Sequence, residues 1–178
     1  MAHQLSPMEK PDKILKLDGI SAESVEAHWG LYEGYVKKYN EIQERLDGAD
    51  AGAANQIFSD YRSYRSAITF AIGGIKNHEL YFGNLGNGGG SPSDALGGRL
   101  EQHFGGLDPF LTELRAAGMA GRGWAWLAYD WDWDRLDVYE HSYIRDFSTA
   151  RPKYIDAFIA NIDWADVSAR WDRIAQAL

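Results

Sequence analysis

Residues 21–48, with the sequence SAESVEAHWGLYEGYVKKYNEIQERLDG, contain the first long helical pattern of the chain. Ser21 is a suitable N-cap for this helix, and Gly48 is a suitable residue for its end. A second helical pattern runs from about Asn55 to the glycines at positions 83 and 86, after a linker of small residues. Because short linkers join helices that are neighbours in space, the two segments are predicted to pack as an antiparallel hairpin.

A glycine-rich segment, residues 84–90, follows the second helix and is typical of a connection between domains. Ser91 and Pro92 suit the N-cap and the first position of the next helix. We therefore predict two domains, residues 1–86 and residues 91–178.

The second half of the chain mixes helical patterns with two short strand-like segments. The predicted order is helix 91–104, helix 108–117, strand 124–130, strand 136–139, a helix from Pro152 and a helix from about Trp164. The residues WDWD between the strands are typical of a turn, which makes the strands antiparallel neighbours. The sequence thus predicts an α+β fold, with an N-terminal antiparallel helical hairpin and a C-terminal α/β domain that carries a small antiparallel sheet.

The composition of the 178 residues excludes several classes of protein. There are no cysteines, so neither a disulfide framework nor a thiolate metal site can form. The formal charge of −8 and the lack of a basic stripe argue against binding to nucleic acid. No segment approaches the roughly 20 apolar residues of a membrane span, and the first residues lack the apolar core of a signal peptide. We therefore expect a cytoplasmic protein with no membrane and no nucleic-acid partner.

Two of the five histidines occupy matching places in the predicted hairpin. His28 lies seven residues after the start of the first helix, and His78 lies about seven residues before the end of the second. Each is then roughly 10 Å from its helix end, and antiparallel packing brings the two imidazoles level as candidate metal ligands. Gly73 and Gly74 cost about 1 kcal/mol each inside a helix, which is explained if the backbones approach closely there. The alternative is a hydrogen-bonded structural role, which is the commoner one for a single helical histidine.

The segment DVYEH, residues 137–141, offers two further candidate ligands. Asp137 is predicted at the end of the second strand and His141 just beyond it, so both can face one ion if the chain turns there. Three imidazoles and one carboxylate suit iron or manganese, and zinc is an alternative. A solvated aspartate and a surface histidine explain the segment equally well. A di-iron bundle of the ferritin type is disfavoured, because the sequence has no Glu-x-x-His pair.

Four segments, read in order, resemble the signature regions of iron/manganese superoxide dismutases. They are ISAESVEAHWG, IKNHELYF, HFGGLDPFLTELRAAGMAGRGWAWL and DVYEHSYIRDFSTARPKYIDAFIANIDWADV, and they span residues 20–167. DVYEHSY is similar to the family's D-x-W-E-H-A-Y-Y signature, with Tyr139 in the tryptophan position. The resemblance implies the family's fold and an enzyme that converts superoxide to oxygen and hydrogen peroxide. It also implies one iron or manganese ion as the cofactor, with iron favoured here.

By the same resemblance, the metal ligands are His28, His78, Asp137 and His141. Glu140 is implied to reach a ligand histidine of a partner subunit, which makes a homodimer the expected assembly.

Aromatic residues around the implied metal only partly follow the family. Trp124 is implied to form part of the wall of the metal cavity. In the first helix, Tyr32 and Val36 follow His28 where the family has the pattern H-x-x-x-H-x-x-x-Y. Tyr35 is displaced by one residue from the family's gateway tyrosine. Tyr32 and Tyr35 are nevertheless candidate catalytic residues, because either could supply a phenol donor, and packing in the core is the alternative.

A larger departure from the family is a deletion in the sheet. The family has additional residues between WAWLAYD and LDVYEH, where this chain has only WDWDR, so the sheet is predicted to be truncated. That stretch commonly supplies a glutamine that hydrogen-bonds solvent on the metal, and the family's other source of it, four residues before the second histidine, is Gly74 here. Such hydrogen bonds tune the potential of a metal. The alternative hypotheses are therefore a metal-binding homologue with weak or no dismutase activity, and another oxygen-dependent chemistry at the same metal.

Overall fold

The computed structural model describes residues 3–86, 88–121, 123–130 and 151–176, together with the backbone of residues 135–139. Within them the chain forms two compact units, called unit one and unit two. None of the described helices combines the length and the apolar composition that crossing a membrane requires.

Unit one comprises Met1–Pro11 and Val25–Phe82, and two long helices form most of it. Helix α1 spans Ala22–Asp47, and helix α2 spans Asp60–Gly83. Each helix buries a stripe of side chains that recurs every three or four residues, which is the spacing of one helix face. The buried residues are Val25, Trp29, Tyr32, Val36, Tyr39, Ile42 and Leu46 on α1, and Ile68, Ala71, Ile75, His78 and Phe82 on α2.

The two helices run antiparallel, as the sequence predicts. Ring contacts pair His28, early in α1, with His78, late in α2. Further along, Tyr35 of α1 contacts Phe70 of α2. The order of the contacts along α2 is therefore reversed with respect to α1.

Capping side chains set where the two helices begin. The Ser21 hydroxyl accepts a hydrogen bond from the backbone N–H three residues later at 3.1 Å, which confirms the predicted start of α1. The predicted start of α2 at Asn55 is wrong, because the helix begins five residues later. The side chain of Asn55 instead accepts from the N–H two residues on at 2.8 Å and closes a turn. The hydroxyl of Ser59, at 3.2 Å from the N–H three residues on, caps α2.

Residues 3–11 lie along α1 and form a segment that we call the N-terminal strap. The side-chain amide of Asn40 binds both backbone groups of Leu5, donating to its carbonyl and accepting from its N–H, each at 2.9 Å. The Met8 N–H donates to the Tyr32 hydroxyl at 2.7 Å. The strap thus satisfies its backbone polar groups on side chains of α1.

Unit two comprises Asp12–Ser24 and Gly83–Leu178. Its described elements are a short 3-10 helix Asp12–Lys16, α3 Asp94–Phe104, α4 Leu107–Ala120, β1 Trp126–Asp130, β2 Arg135–Tyr139, α5 Arg151–Ala160 and α6 Trp164–Ala175. The strands pair antiparallel, with Ala128 opposite Asp137. The predicted antiparallel pair and the α+β class are confirmed, whereas the predicted turn at 131–134 lies outside the described residues.

The helices of unit two pack around one apolar cluster. Its buried members are Leu96, Leu100, Phe110, Leu114, Ile162, Trp164 and Trp171. Phe158 and Ile159 of α5 pack against it while partly exposed. Burying a large apolar side chain contributes about 1.5–3 kcal/mol, so this cluster is the main source of stability for the unit.

Helix α3 begins at Asp94, three residues after its predicted N-cap, Ser91. The Ser93 hydroxyl accepts from the N–H three residues on at 3.3 Å, so Ser93 is the cap. The prediction that Ser91 caps the helix and Pro92 opens it is therefore wrong. The backbone N–H of Ser93 also donates to the Ser168 hydroxyl at 2.8 Å, which fixes the cap against α6.

Residues 12–24 are tied to the last helices of unit two by polar contacts. The Asn161 side chain donates to the Asp18 carbonyl at 2.7 Å and accepts from the Asp18 N–H at 3.0 Å. Lys13 Nζ donates to Asp163 Oδ2 at 2.8 Å and to the Gly83 carbonyl at 3.0 Å. These contacts hold residues 12–24 against residues that lie 70 to 150 positions later in the chain.

Candidate metal centre

The helices of unit one bring His28 and His78 together. Their ring centroids are 4.8 Å apart, and the ring planes meet at 73°. His78 belongs to the buried stripe of α2 and is 4% exposed, whereas His28 is half-buried. The convergence predicted from their depths in the hairpin is confirmed.

A backbone hydrogen bond fixes the orientation of His78. Its Nδ1 lies 2.6 Å from the carbonyl oxygen of Gly74, one helical turn earlier. A carbonyl can only accept, so Nδ1 carries the proton, and Nε2 of the neutral ring keeps its lone pair. Metal-binding histidines are commonly oriented in this way, with the second nitrogen donating to a carbonyl or carboxylate.

Both imidazoles are neutral at pH 7. Burial, together with the smaller effect of the charge that His78 would carry, lowers the pKa of His28 to about 4. Burial also lowers the pKa of His78, although its hydrogen bond to Gly74 opposes the change. A neutral imidazole is the form that binds a metal ion, so the pair is in the ligand state without any change of pH.

Two aromatic residues that the sequence analysis did not single out complete the surroundings of His28. The ring centroids of Tyr81 and Phe82 lie 4.8 and 5.3 Å from that of His28. Both follow His78 by one helical turn in the segment HELYF, and this spacing was the available signal. They form an apolar wall on one side of the histidine pair.

The Tyr32 hydroxyl is used within unit one. It donates to Glu79 Oε1 at 2.9 Å and accepts from the Met8 N–H at 2.7 Å. Burial, together with the neighbouring Glu79 carboxylate, raises the pKa of Tyr32 to about 12. A phenol has a single proton, and in Tyr32 that proton is directed to Glu79 and away from the imidazoles.

Tyr35 contacts His78 through its ring, with the centroids 5.3 Å apart. It occupies the space beside Gly74, where a Cβ would lie only 2.5 Å from the Tyr35 ring. The neighbour that requires glycine at position 74 is therefore a side-chain ring, and the predicted close approach of the two backbones is wrong as the explanation for Gly74. The same explanation is wrong for Gly73, because nothing would lie within 4 Å of a Cβ there.

The remaining predicted site residues belong to the second half of the chain. Trp124 is half-buried. Asp137 is the third residue of β2, so it lies within the strand and not at its end as predicted. The side chain of Asp137, and Glu140 and His141 entirely, lie outside the described residues.

The histidine pair fits a resident metal ion. His78 has a fixed tautomer with a lone pair on Nε2, and His28 stays neutral far below pH 7. Among the residues with described side chains, no group of three or more histidine, cysteine, aspartate or glutamate residues gathers, so a complete ligand set needs further residues of the chain. These features define a class of metalloproteins that take imidazole ligands from a helical hairpin.

Comparison with models of protein families gives two matches. Residues 14–86 match "iron/manganese superoxide dismutases, alpha-hairpin domain". Residues 92–138 and 134–170 match "iron/manganese superoxide dismutases, C-terminal domain". The second match falls into two pieces that share 134–138, as expected if the chain lacks a stretch that the family has at this point.

Individual relatives cover nearly the whole chain. Proteins named superoxide dismutase [Fe] from Aquifex pyrophilus and Aquifex aeolicus are 43% and 42% identical, over 98% of this chain and 94% of theirs. Superoxide dismutase [Mn] 1, mitochondrial, from Arabidopsis thaliana is 29% identical over 86% of this chain and 79% of its own length. The Aquifex alignments span 204 positions, more than the 178 residues of this chain, so those relatives carry residues that it lacks. The chain belongs to the iron/manganese superoxide dismutase family.

Proposed function

We propose that this chain is a superoxide dismutase, an oxidoreductase that converts superoxide to oxygen and hydrogen peroxide. One observation carries the proposal: a relative named superoxide dismutase [Fe] is 43% identical over 98% of the chain. The neutral imidazole pair in the hairpin that matches the family model supports it. Superoxide is then the small-molecule substrate.

The cofactor is one iron or manganese ion, with iron favoured. The two Aquifex relatives, at 43% and 42% identity, are named as iron enzymes, whereas the manganese enzyme named above is 29% identical. When bound, such an ion supplies one-electron chemistry by alternating between two oxidation states.

His28, His78, Asp137 and His141 are the proposed ligands. The contact between the two described imidazoles and the fixed tautomer of His78 support the first two. The likeness of DVYEH to the family signature supports Asp137 and His141. Three neutral imidazoles and one carboxylate are a suitable donor set for iron or manganese.

The roles of three aromatic residues are also part of the proposal. Trp124 forms part of the wall of the metal cavity, as its likeness to the family's residue suggests. Tyr32 and Tyr35 are the candidate phenol donors. His78 is buried, and a hydrogen bond that such a phenol makes in its low-dielectric surroundings is stronger than in water.

We further propose two domains, residues 1–86 and 91–178, and an assembly of two identical subunits. Glu140 would contact a ligand histidine of the second subunit, as the family resemblance implies. The low proportion of basic residues in a chain of formal charge −8 supports the absence of a nucleic-acid partner. A cytoplasmic location without a membrane partner completes the proposal.

A second candidate function is favoured by the shortened sheet. Only two strands are described in the sheet, and the match to the C-terminal family model is broken at the same place. A chain that keeps the ligands but lacks part of the surrounding hydrogen bonds could bind metal with weak or no dismutase activity, or perform another oxygen-dependent reaction.

Metal content and superoxide consumption, measured on the same preparation, test the proposal. The expected result is about one iron or manganese per chain together with consumption of superoxide far above that of free buffer. Stoichiometric metal with negligible consumption of superoxide would exclude the dismutase function and favour the second candidate function.

The histidine ligand is tested by His78→Ala, with His3→Ala as the matched control because His3 is exposed at the N-terminal strap. His78→Ala should lose stoichiometric metal, because a ligand with a fixed tautomer is removed from the site. His3→Ala should keep it. Full metal occupancy in His78→Ala would show that the site lies elsewhere.

A further inference from the structure

Three residues of one face of α2 form a row with a gap in the middle. Phe70, Gly74 and His78 follow one another at intervals of four residues, so their Cα atoms lie one above the other. The Tyr35 ring crosses this row from α1. Its centroid lies 5.3 Å from the His78 ring on one side and 6.0 Å from the Phe70 ring on the other.

The missing side chain of Gly74 is what lets the Tyr35 ring in. A Cβ at position 74 would lie 2.5, 2.6 and 2.8 Å from three ring atoms, Cδ1, Cε1 and Cγ. Real contacts of a Cβ are essentially never shorter than 3.0 Å. Cγ is close to the root of the side chain, so a small rotation of the ring does not relieve the clash. The position of Tyr35 therefore depends on glycine at 74.

The same glycine also holds His78 through its carbonyl group, at 2.6 Å from Nδ1. Gly74 thus acts on the imidazole in two ways, by the hydrogen bond from its backbone and by the ring that its missing side chain admits. Both contacts determine where Nε2 of His78 points.

The Tyr35 hydroxyl differs from that of Tyr32. Tyr32 already donates its proton to Glu79, whereas the Tyr35 hydroxyl makes no hydrogen bond with the described residues. Tyr35 also lines a groove of about 1020 Å³ between α1 and α2, which is open to solvent and includes Lys38 and Arg62. Tyr35 therefore contacts both the open groove and the His78 ring.

From these contacts we propose that Gly74 and Tyr35 work as a pair, in which the missing side chain of Gly74 seats the Tyr35 ring against His78. The pair makes Tyr35, and not Tyr32, the phenol that serves the metal site. Tyr35 is in this sense a positioning residue for His78 and supplies a hydrogen-bond donor near it. The inference rests on the proposed metal site.

The packing of the Tyr35 ring beside Gly74 is tested by comparing Gly74→Ala with Gly73→Ala, a change at the neighbouring residue of the same helix. Alanine is the better helix former at both positions, so Gly73→Ala should keep or raise the melting temperature. Gly74→Ala should lower it by about 4 °C or more, because the Tyr35 ring must move. In a Tyr35→Ala background, the same Gly74→Ala change should no longer be harmful. An equal effect of Gly74→Ala in both backgrounds would show that the position of the Tyr35 ring does not depend on glycine at 74.

The role at the metal is tested with Tyr35→Phe, which keeps the ring, and with Tyr64→Phe as the control on α2. In the metal-loaded protein, Tyr35→Phe should shift the reduction midpoint potential and the visible spectrum and lower turnover about 10-fold, while Tyr64→Phe leaves all of them unchanged. Identical potentials and spectra for Tyr35→Phe and the parent protein would overturn the inference. A parent protein that takes up neither iron nor manganese would refute the proposed function instead. The melting temperatures would still test whether the Tyr35 ring packs beside Gly74.

Discussion

The Tyr32 hydroxyl joins three segments of unit one. It receives a hydrogen bond from Met8 of the N-terminal strap and gives one to Glu79 of α2, while its own ring belongs to the buried face of α1. The residue is fully buried, so each of these bonds replaces one to water that folding removed. Its hydroxyl therefore contributes to stability more than to chemistry.

Tyr32→Phe should lower the free energy of unfolding by about 1–3 kcal/mol, because it leaves the partly buried N–H of Met8 and the Glu79 carboxylate without their partner. Urea unfolding of the metal-free protein measures the effect. Tyr64→Phe, on the same hairpin, is the control and should change the stability little. A neutral Tyr32→Phe would mean that water replaces the hydroxyl without cost.

The sequence predicts the positions of the two histidines of the site, but not the hydrogen-bond partners of the two tyrosines. His28 and His78 follow from helix geometry, because the depth of a residue in a helix depends only on counting. The different uses of Tyr32 and Tyr35 could not be predicted, since both lie on the same part of α1 and hydroxyl partners come from other segments. The place of Tyr35 beside Gly74 is likewise a matter of packing between helices.

At the scale of elements, two nearby serines are both suitable N-caps for α3, and only one of them caps the helix. Ser93 accepts a backbone N–H and is itself held by Ser168 of α6, whereas Ser91 precedes the helix. Pro92 lies between them and is compatible with either serine as the cap, because proline is common near helix starts.

Ser93→Ala should lower the free energy of unfolding by about 1 kcal/mol through loss of the cap. Ser91→Ala is the matched control and should lie within a few tenths of a kcal/mol of the parent protein. Thermal or urea unfolding of the two variants decides between them. A larger loss of stability in Ser91→Ala than in Ser93→Ala would show that Ser91 is the cap, as the sequence pattern predicts.

Helix interiors were predictable where helix starts were not. The buried stripes of α1 and α2 repeat over several turns, so their pattern is strong in the sequence. A start depends on one hydrogen bond, and Asn55 and Ser59 are both good capping residues. The structure uses Asn55 for a turn and Ser59 for the cap, a choice that local sequence does not contain.

At the scale of the whole molecule, one ion pair joins positions 13 and 163. Burial raises the pKa of Asp163, but hydrogen bonds from Lys13 and from the first turn of α6 outweigh it and leave the pKa below its ordinary value of 3.8. The folded protein thus binds fewer protons than the unfolded chain in acid. The stabilisation is complete at neutral pH and is lost as the pH falls from about 4 through the pKa of the folded state.

Asp163→Asn should remove this pH dependence, because asparagine keeps a cap oxygen but not the charge that pairs with Lys13. Between pH 7 and pH 3 the parent protein should lose more stability than Asp163→Asn does, by up to about 1 kcal/mol. Urea midpoints at the two pH values measure the difference. Asp172→Asn, an exposed position on α6, is the control and should follow the parent protein.

No local pattern could predict that residues 12–24 join residues 83–178 in one unit. The hydrogen bonds between Asp18 and Asn161 connect positions that are 143 residues apart. Contacts of this kind depend on the folded path of the whole chain, whereas periodicity reports only on near neighbours.

That long separation sets an order of events while the protein is being synthesised. Residues 12–24 leave the ribosome early, but Asn161 follows 143 positions after Asp18, a wait on the order of 10 s at about 5–20 residues per second. Both helices of the hairpin emerge long before that, and helices form within microseconds. The nascent chain thus carries a finished hairpin, whereas residues 12–24 have no docking surface until the last helices arrive, and a chaperone that shields these residues would assist maturation.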